Sequence, residues 1–278
     1  MMIISVGFFD GFHIAHQEVI KDSNIVITFD TYPKAFFNKI NSNNLLTTNF
    51  EKQCLITQKF PQTKVEFFIF KKIYNLLPED FIKLLKNLYD FKYIKVGYDF
   101  RFGVNASGNI LTLKRLQKKY NYELIVVKPI KVDNRVVHSR YIRNYLKNGK
   151  LEWVFKMLGR NYSFSGIVIE GNKIGRKIGF PTANLLVSTS KIMPPYGVYK
   201  VRVKIEDIYY YGLLHLGPRP VINDFDTSIE VWIKNFNQDI YYKQVTVEIL
   251  QFIRKIKNFS NLNKLIEQIK KDIQLAQI

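Results

Sequence analysis

The sequence predicts two domains of different class: an α/β domain built on a parallel sheet, then an antiparallel β-barrel with a C-terminal helix. Three observations carry that reading. Up to about Lys128, short β-branched or aromatic runs alternate with apolar residues at helical spacing. Beyond Leu158 the pattern changes to crowded strand runs separated by short turns. At 278 residues, 47% hydrophobic and 15% aromatic, the chain is long and apolar enough for two cores.

In chain order, Ile3–Val6, Asn24–Phe29, Lys64–Phe70, Lys92–Val96 and Tyr122–Val127 are the first strand runs. Between them Phe81, Ile82, Leu84, Leu85 and Leu88, and later Leu111, Leu113 and Leu116, recur at helical spacing. Such alternation implies a parallel sheet with helices on both faces and ligands at the carboxyl ends of its strands. Thr48 followed by Glu51 reads as a capping box. His138 opens another helix, with Ile142, Tyr145 and Leu146 among its apolar positions. Leu151–Leu158 is a short helical connector without a Pro/Ser linker, which sets the expected domains at residues 1–158 and 159–278. Tyr162–Ile169, Gly197–Ile205, Ile208–Leu216, Thr227–Phe236 and Gln244–Phe252 then suggest a closed barrel. Ser260–Ile273 carries a stripe of Leu262, Leu265, Ile266 and Ile269 that suits a helix covering one side.

The balance of 42 Lys+Arg against 23 Asp+Glu, a net +19, points to polyanionic ligands: nucleotides, nucleic acid or an anionic membrane surface. A single cysteine, Cys54, excludes an internal disulfide and fits a reducing cytosol. No basic segment precedes Asp10, and no apolar run reaches the roughly 18–20 residues of a membrane span. A cytoplasmic protein is expected.

The chemistry concentrates in a few stretches. Gly171, Gly175 and Gly179 alternate with Lys173, Arg176 and Lys177 ahead of Phe180-Pro181-Thr182-Ala183-Asn184. Glycines let a backbone approach a ligand closely, and successive N–H groups beside cations can cradle phosphate. Thr182 and Asn184, on one side of an extended chain, offer a hydroxyl and an amide oxygen, donors that suit Mg²⁺. A basic glycine-rich surface loop is the alternative. After the first strand comes Gly7-Phe8-Phe9-Asp10-Gly11-Phe12-His13-Ile14-Ala15-His16. His13 and His16 share one face if helical and would stand at a helix N-terminus, where N–H groups attract phosphate. The alternative is a pair of surface or metal-binding histidines. Gly97-Tyr98-Asp99-Phe100-Arg101-Phe102-Gly103 follows a central strand, with Phe100 and Phe102 equally suited to the core. Glu230 interrupts the apolar run Ser228-Ile229-Glu230-Val231-Trp232-Ile233, where plain alternation would turn it to solvent.

Gly175-Arg176-Lys177-Ile178-Gly179-Phe180-Pro181-Thr182-Ala183-Asn184 closely resembles the signature of the riboflavin kinase family. Leu158–Gly166, Tyr196–Tyr199, Gly217-Pro218-Arg219-Pro220, Ser228–Val231 and Phe252-Ile253-Arg254 match further segments of it. The resemblance implies Thr182 and Asn184 as Mg²⁺ and phosphate residues, and Gly171, Gly175, Arg176 and Lys177 as the nucleotide loop. It also implies Glu230 as the base that accepts the flavin hydroxyl proton, and Arg254 as a flavin contact. The N-terminal stretch around His13 and His16 resembles the H-x-G-H motif of nucleotidylyltransferases, in the form used by the FMN adenylyltransferase module of bacterial FAD synthetases. That resemblance implies a Rossmann-like fold, His13 and His16 acting on the displaced pyrophosphate, and Gly7, Phe9 and Asp10 around ATP. His138-Ser139-Arg140-Tyr141-Ile142-Arg143 resembles the Ser-Ser-Thr-x-Ile-Arg motif, which makes Ser139 and Arg143 phosphate contacts. Asp99, Phe100 and Arg101 match a loop beside the flavin.

Ala15, Tyr32, Ala106, His138 and Arg140 depart from the N-terminal pattern, and Val221 departs from the riboflavin kinase pattern. The expectation is a bifunctional enzyme: Mg²⁺-dependent phosphorylation of riboflavin to FMN by ATP, then adenylylation of FMN to FAD. A kinase with a weakened adenylyltransferase domain is one alternative, and a basic nucleic-acid-binding protein is the other. Small-molecule substrates are expected, with neither nucleic acid nor membrane as partner; oligomeric state is not legible.

Overall fold

A computed structural model describes residues 1–33, 36, 44–171, 174–218 and 227–278. Lys173, Arg219, Pro220 and Val221 lie outside the described residues. The chain forms two compact units, Met1–Ile142 with Met157–Gly159, and Arg143–Lys156 with Arg160–Ile278.

The first unit holds a parallel sheet of β1 (Ile3–Val6), β2 (Ile25–Phe29), β3 (Lys64–Phe68), β4 (Tyr93–Gly97) and β5 (Glu123–Val127), ordered β3-β2-β1-β4-β5. Its helices are α1 (Ile14–Ile20), α2 (Asn49–Lys59), α3 (Phe70–Ile73), α4 (Pro78–Leu88) and α5 (Ile110–Tyr120). The strands are apolar on both sides because helices cover both. Ile4, Val6, Ile25, Ile27, Ile94 and Val96 pack with Phe81, Ile82 and Leu85 of α4 and Leu113 and Leu116 of α5. Val26 faces the opposite layer, with Val19 and Ile20 of α1 and Ile56 of α2. The capping box read from Thr48 and Glu51 is present: Thr48 Oγ1 accepts from Glu51 N, and Thr48 N donates to Glu51. Asn109 caps α5, and Asn121 ends it in the left-handed region at φ 46°. A small hairpin, β6 (Lys131–Val132) and β7 (Arg135–Val136), turns through Asp133 and Asn134, both at positive φ. Two helices follow, α6 (Ser139–Lys147) and α7 (Leu151–Leu158).

The second unit is a closed antiparallel barrel. Its strands are β8 (Tyr162–Ile169), β9 (Thr182–Val187), β10 (Gly197–Ile205), β11 (Ile208–Pro218), β12 (Thr227–Ile233) and β13 (Gln244–Arg254), in the order β10-β11-β12-β9-β8-β13. Before β9 lies a short helical turn, α8 (Ile174–Lys177). Every second residue points inward, as Tyr162, Phe164 and Val168 of β8 and Val201, Val203 and Ile205 of β10 do. The five strand runs read from the sequence all appear; the sixth, β9, hides inside the Thr182–Asn184 motif.

The C-terminal helix α9 (Leu262–Ala276) starts at an Asn261 cap and packs Ala276 and Ile273 against Val198 and Leu213. A nearly buried ion pair fastens it. Arg254 Nε donates to Asp272 Oδ1 at 2.8 Å and its Nη2 donates to Oδ2 at 2.8 Å, the side chains being 14% and 2% exposed. Removing one partner strands the other charge away from water. Asp272→Ala is therefore expected to cost about 3–5 kcal/mol, read as a lower denaturation midpoint; an unchanged midpoint would show that α9 docks by apolar contact alone.

Candidate functional sites, one in each unit

In the sheet unit the strand order reverses on either side of β1, so the carboxyl ends of β1 and β4 flank the crevice where such sheets bind ligands. The β1–α1 loop occupies that place. It is an unusual backbone: Phe9 (φ 53°), Gly11 (φ 82°) and Phe12 (φ 42°) all sit in the left-handed region. Buried polar groups hold it there. The Asp10 carboxylate, 3% exposed, accepts from Leu46 N at 2.9 Å and Thr47 N at 3.0 Å, while Gly11 N donates to Thr47 Oγ1 at 2.9 Å. Gly7 has no room for a side chain, since a Cβ would stand 2.8 Å from the Phe9 ring.

His13 caps α1, its Nδ1 accepting from His16 N at 3.3 Å. An acceptor Nδ1 places the ring proton of neutral His13 on Nε2. The His13 and His16 rings stack at 3.4 Å between centroids, and Phe9 meets His16 edge-on at 5.4 Å. Both histidines line a cleft with Ala15, Gly97, Asp99, Lys128, His138 and Ser139. Six expected residues or departures thus share one cleft: His13, Ala15, His16, Asp99, His138 and Ser139.

Two departures from the family pattern gain an explanation here. His138 Nδ1 accepts from Arg140 N at 3.1 Å, so its imidazole caps the start of α6. Its Nε2 lies 3.5 Å from Asp99 Oδ2, and this imidazole contact holds the Asp99 carboxyl below the usual carboxylate range. Ser139 donates its hydroxyl proton to Asp10 O at 2.9 Å, tying the start of α6 to the loop. Arg140 stacks its guanidinium over Tyr141 at 5.0 Å. Phe100 and Phe102 stack on each other at 5.4 Å, with Phe102 in the core against Phe81 and Phe100 half-buried; Arg101 is exposed. Arg143, further along α6, is half-buried and clusters with the barrel unit.

In the barrel, register assembles the second site. Glu230 pairs with Asn184 on one side and His215 on the other, while Trp232 pairs with Thr182. Thr182 Oγ1 donates to Glu230 Oε2 at 3.2 Å, joining residues 48 apart in the chain. The loop before β9 is pressed against these groups: a Cβ on Gly171 would lie 2.3 Å from Asn184 Nδ2, and one on Gly175 2.3 Å from Phe180 O. Arg176 and Lys177 are exposed on α8, and Arg176, Thr182 and Val231 line a cleft of about 410 Å³ with Asp239 and Tyr241. A second cleft, of about 630 Å³, is lined by Tyr196, Tyr199, Pro218, Phe252 and Lys255. Arg254 is not among the lining residues; its Nε and Nη2 donate to Asp272 and its Nη1 to Lys255 O, so a flavin contact for it rests on the resemblance.

Sequence reasoning missed His215, and it saw Lys52 only as part of a Glu51-Lys52 segment that resembles the adenylyltransferase family, without a role. His215 Nε2 lies 3.0 Å from the carbonyl of Pro218, a residue lining the larger cleft, and His215 pairs with Glu230; burial pushes its imidazole below the ordinary histidine value. Lys52 is wholly buried under the β1–α1 loop. Neither carries a spacing signal that periodicity would flag.

Known proteins repeat this two-part arrangement. The family model described as FAD synthetase matches residues 1–141, and that described as riboflavin kinase matches residues 158–278. A bifunctional riboflavin kinase/FMN adenylyltransferase from Buchnera aphidicola subsp. Schizaphis graminum is 36% identical, over 99% of this chain and 92% of its own. One of the same description from Bacillus subtilis is 30% identical, over 99% of this chain and 91% of its own. A crystal structure from Streptococcus pneumoniae, described as a macrolide-efflux protein, superposes with a TM-score of 0.84 at 27% identity, covering 99% of this chain and 93% of that one. Among the described residues, no helix is long and apolar enough to cross a membrane. With both halves matched in order and relatives aligned from end to end, the chain belongs to the bifunctional riboflavin kinase/FMN adenylyltransferase family.

Proposed function

We propose that the two units act in series in the cytoplasm: the barrel moves the γ-phosphate of ATP onto riboflavin, and the sheet unit joins the resulting FMN to AMP from a second ATP. The observation that carries the first step is the Thr182–Glu230 hydrogen bond beside Asn184. Glu230 accepts the proton of the riboflavin hydroxyl as its oxygen bonds to the γ-phosphorus and ADP departs. Thr182 orients that carboxylate. Phosphoryl transfer asks for little beyond alignment and charge neutralisation, and exposed Arg176 and Lys177 sit on the loop that would face the phosphates.

Thr182 and Asn184 fit Mg²⁺. The Thr182 hydroxyl spends its proton on Glu230, which leaves lone pairs for a cation, and Asn184 adds a hard amide oxygen. Mg²⁺ held there would neutralise phosphate charge in company with the nucleotide's own oxygens. The apolar, aromatic cleft of Tyr196 and Phe252 suits the isoalloxazine ring, and Arg254, next to the lining residue Lys255, is the flavin contact that the resemblance implies. In the sheet unit an FMN phosphate oxygen attacks the α-phosphorus, pyrophosphate leaves, and the Nε2–H of His13 with the His16 imidazole stabilises the charge that develops. Gly7, Phe9, Asp10, Ser139 and Arg143 shape or contact the ATP site, and Asp99, Phe100 and Arg101 border the flavin.

Glu230→Gln keeps size and loses proton-accepting power, so FMN formation should fall by about 10²–10⁴ while FAD formation from supplied FMN persists. Chromatography of both flavins reads this, and undiminished riboflavin phosphorylation would remove Glu230 from the step. Asn184→Ala deletes the amide, and Gly171→Ala must push it aside, since its Cβ would meet Nδ2 at 2.3 Å. Both should lose MgATP affinity by calorimetry at unchanged melting temperature; a lowered melting temperature with intact affinity would make the loop structural. His16→Ala should lower pyrophosphate release from FMN and ATP by about 10²–10³ with FMN formation untouched, and equal release in both proteins would take the histidine out of the mechanism.

A further inference from the structure

We propose that Lys52 is a positioning residue for adenylyl transfer: its buried amine locks the Phe8–Phe9 peptide, and with it the β1–α1 loop, in the shape that receives the ATP phosphates. The inference rests on the reading of the sheet unit as an FMN adenylyltransferase. Lys52 lies in α2, just past the capped first turn, with no exposed surface. Its Nζ donates to Phe8 O at 2.9 Å and to Thr28 Oγ1 at 3.0 Å, and Thr28 Oγ1 donates to the same Phe8 O at 3.1 Å. The ammonium side also sits over the Phe8 ring at 4.1 Å.

A lysine is an expensive choice for a buried strut, since its charged form is stripped of water. An apolar side chain of similar length would fill the space as well, but would give Phe8 O one donor fewer. That carbonyl directly precedes Phe9, whose left-handed φ of 53° is strain that surrounding contacts must hold. Asp10 and Gly11 anchor the next part of the loop to Leu46 and Thr47. The loop is therefore fixed at two successive points, by Lys52 with Thr28 before the strained residue and by Thr47 after it, and His13 and His16 follow.

Burial pushes the Lys52 amine down to about 7, opposed by the charges of Asp10 from the loop and Asp30 at the end of β2; β3 contributes the Phe67 ring, at 5.4 Å. Two acceptors match the two protons of a neutral amine. A free lysine titrates near 10.5, so between pH about 7 and 10.5 the unfolded chain binds a proton that the folded chain lacks. Folding stability from this group accordingly rises with pH across that window.

The test compares the full chain with Lys52→Met and Thr28→Val, reading kcat and KM for FAD formation from FMN across pH 6–9 and FMN formation as the internal control. Lys52→Met should lower kcat for FAD formation by about 10²-fold, the order expected for a misplaced site, and should abolish its inflection near pH 7. Thr28→Val, which keeps the amine and removes the second arm, should show a smaller loss with the inflection retained. FMN formation should be unchanged in both. If Lys52→Met does not fold, Thr28→Val decides: a folded Thr28→Val chain with full kcat overturns the proposal. Variants that keep both the rate and the pH profile of the unmutated chain overturn it too. An unmutated chain that makes FMN and no FAD overturns the adenylyltransferase reading and takes this inference with it.

Discussion

The pairing of β9 with β12 is the constraint on which the barrel's chemistry depends. Glu230 faces Asn184 and reaches Thr182 only in the register observed. A slip of one residue would turn each of these side chains to the other surface of the sheet. Register is pinned from both sides: Val231 and Ile233 alternate with Glu230 and point into the core, and Gly175 packs so closely against the entry to β9 that a Cβ would meet the Phe180 carbonyl at 2.3 Å. Core packing that stabilises the barrel therefore also sets the distance between Glu230, the proposed base, and Thr182 and Asn184, the residues proposed for metal and phosphate.

The sheet unit reaches comparable precision by another route. No strand register holds the β1–α1 loop, because it lies beyond the end of the sheet. Instead buried polar groups hold single backbone atoms: Asp10 takes two N–H groups, Thr47 a third, and Lys52 with Thr28 the Phe8 carbonyl. Each would be costly if unmatched in the interior, and each is matched. Strain at Phe9 and Phe12 is sustained by these bonds, consistent with strained backbone clustering where function demands a particular geometry.

Much of this was legible in the sequence because it is periodic or motif-borne. Alternating apolar runs announced the parallel sheet and five of the barrel strands, and the Thr48–Glu51 spacing announced a cap that is present. β9 escaped periodicity because its first residues are chosen for chemistry: Thr182 and Asn184 interrupt the apolar pattern, and Pro181 precedes them. The place of Lys52 in the fold was invisible for the opposite reason, although Glu51-Lys52 resembles a family segment. On a helix of mixed polar composition, a lysine reads as a solvated side chain until the fold places it beneath a loop contributed by a distant segment. Arg254 shows how a motif residue can serve the fold, since its guanidinium is spent on Asp272 of α9.

The substitutions near α6 bear on whether the sheet unit is a decayed relative. Decay would leave the helix start uncapped and the loop unattached. His138 instead supplies the cap through Nδ1, and this fixes the proton of the neutral ring on Nε2, the atom turned toward Asp99. Ser139 keeps its bond to the Asp10 carbonyl. One imidazole thus both caps the helix and contacts the Asp99 carboxylate in the same cleft. The local hydrogen bonding is rebuilt rather than lost, which is the pattern of a site maintained under altered side chains.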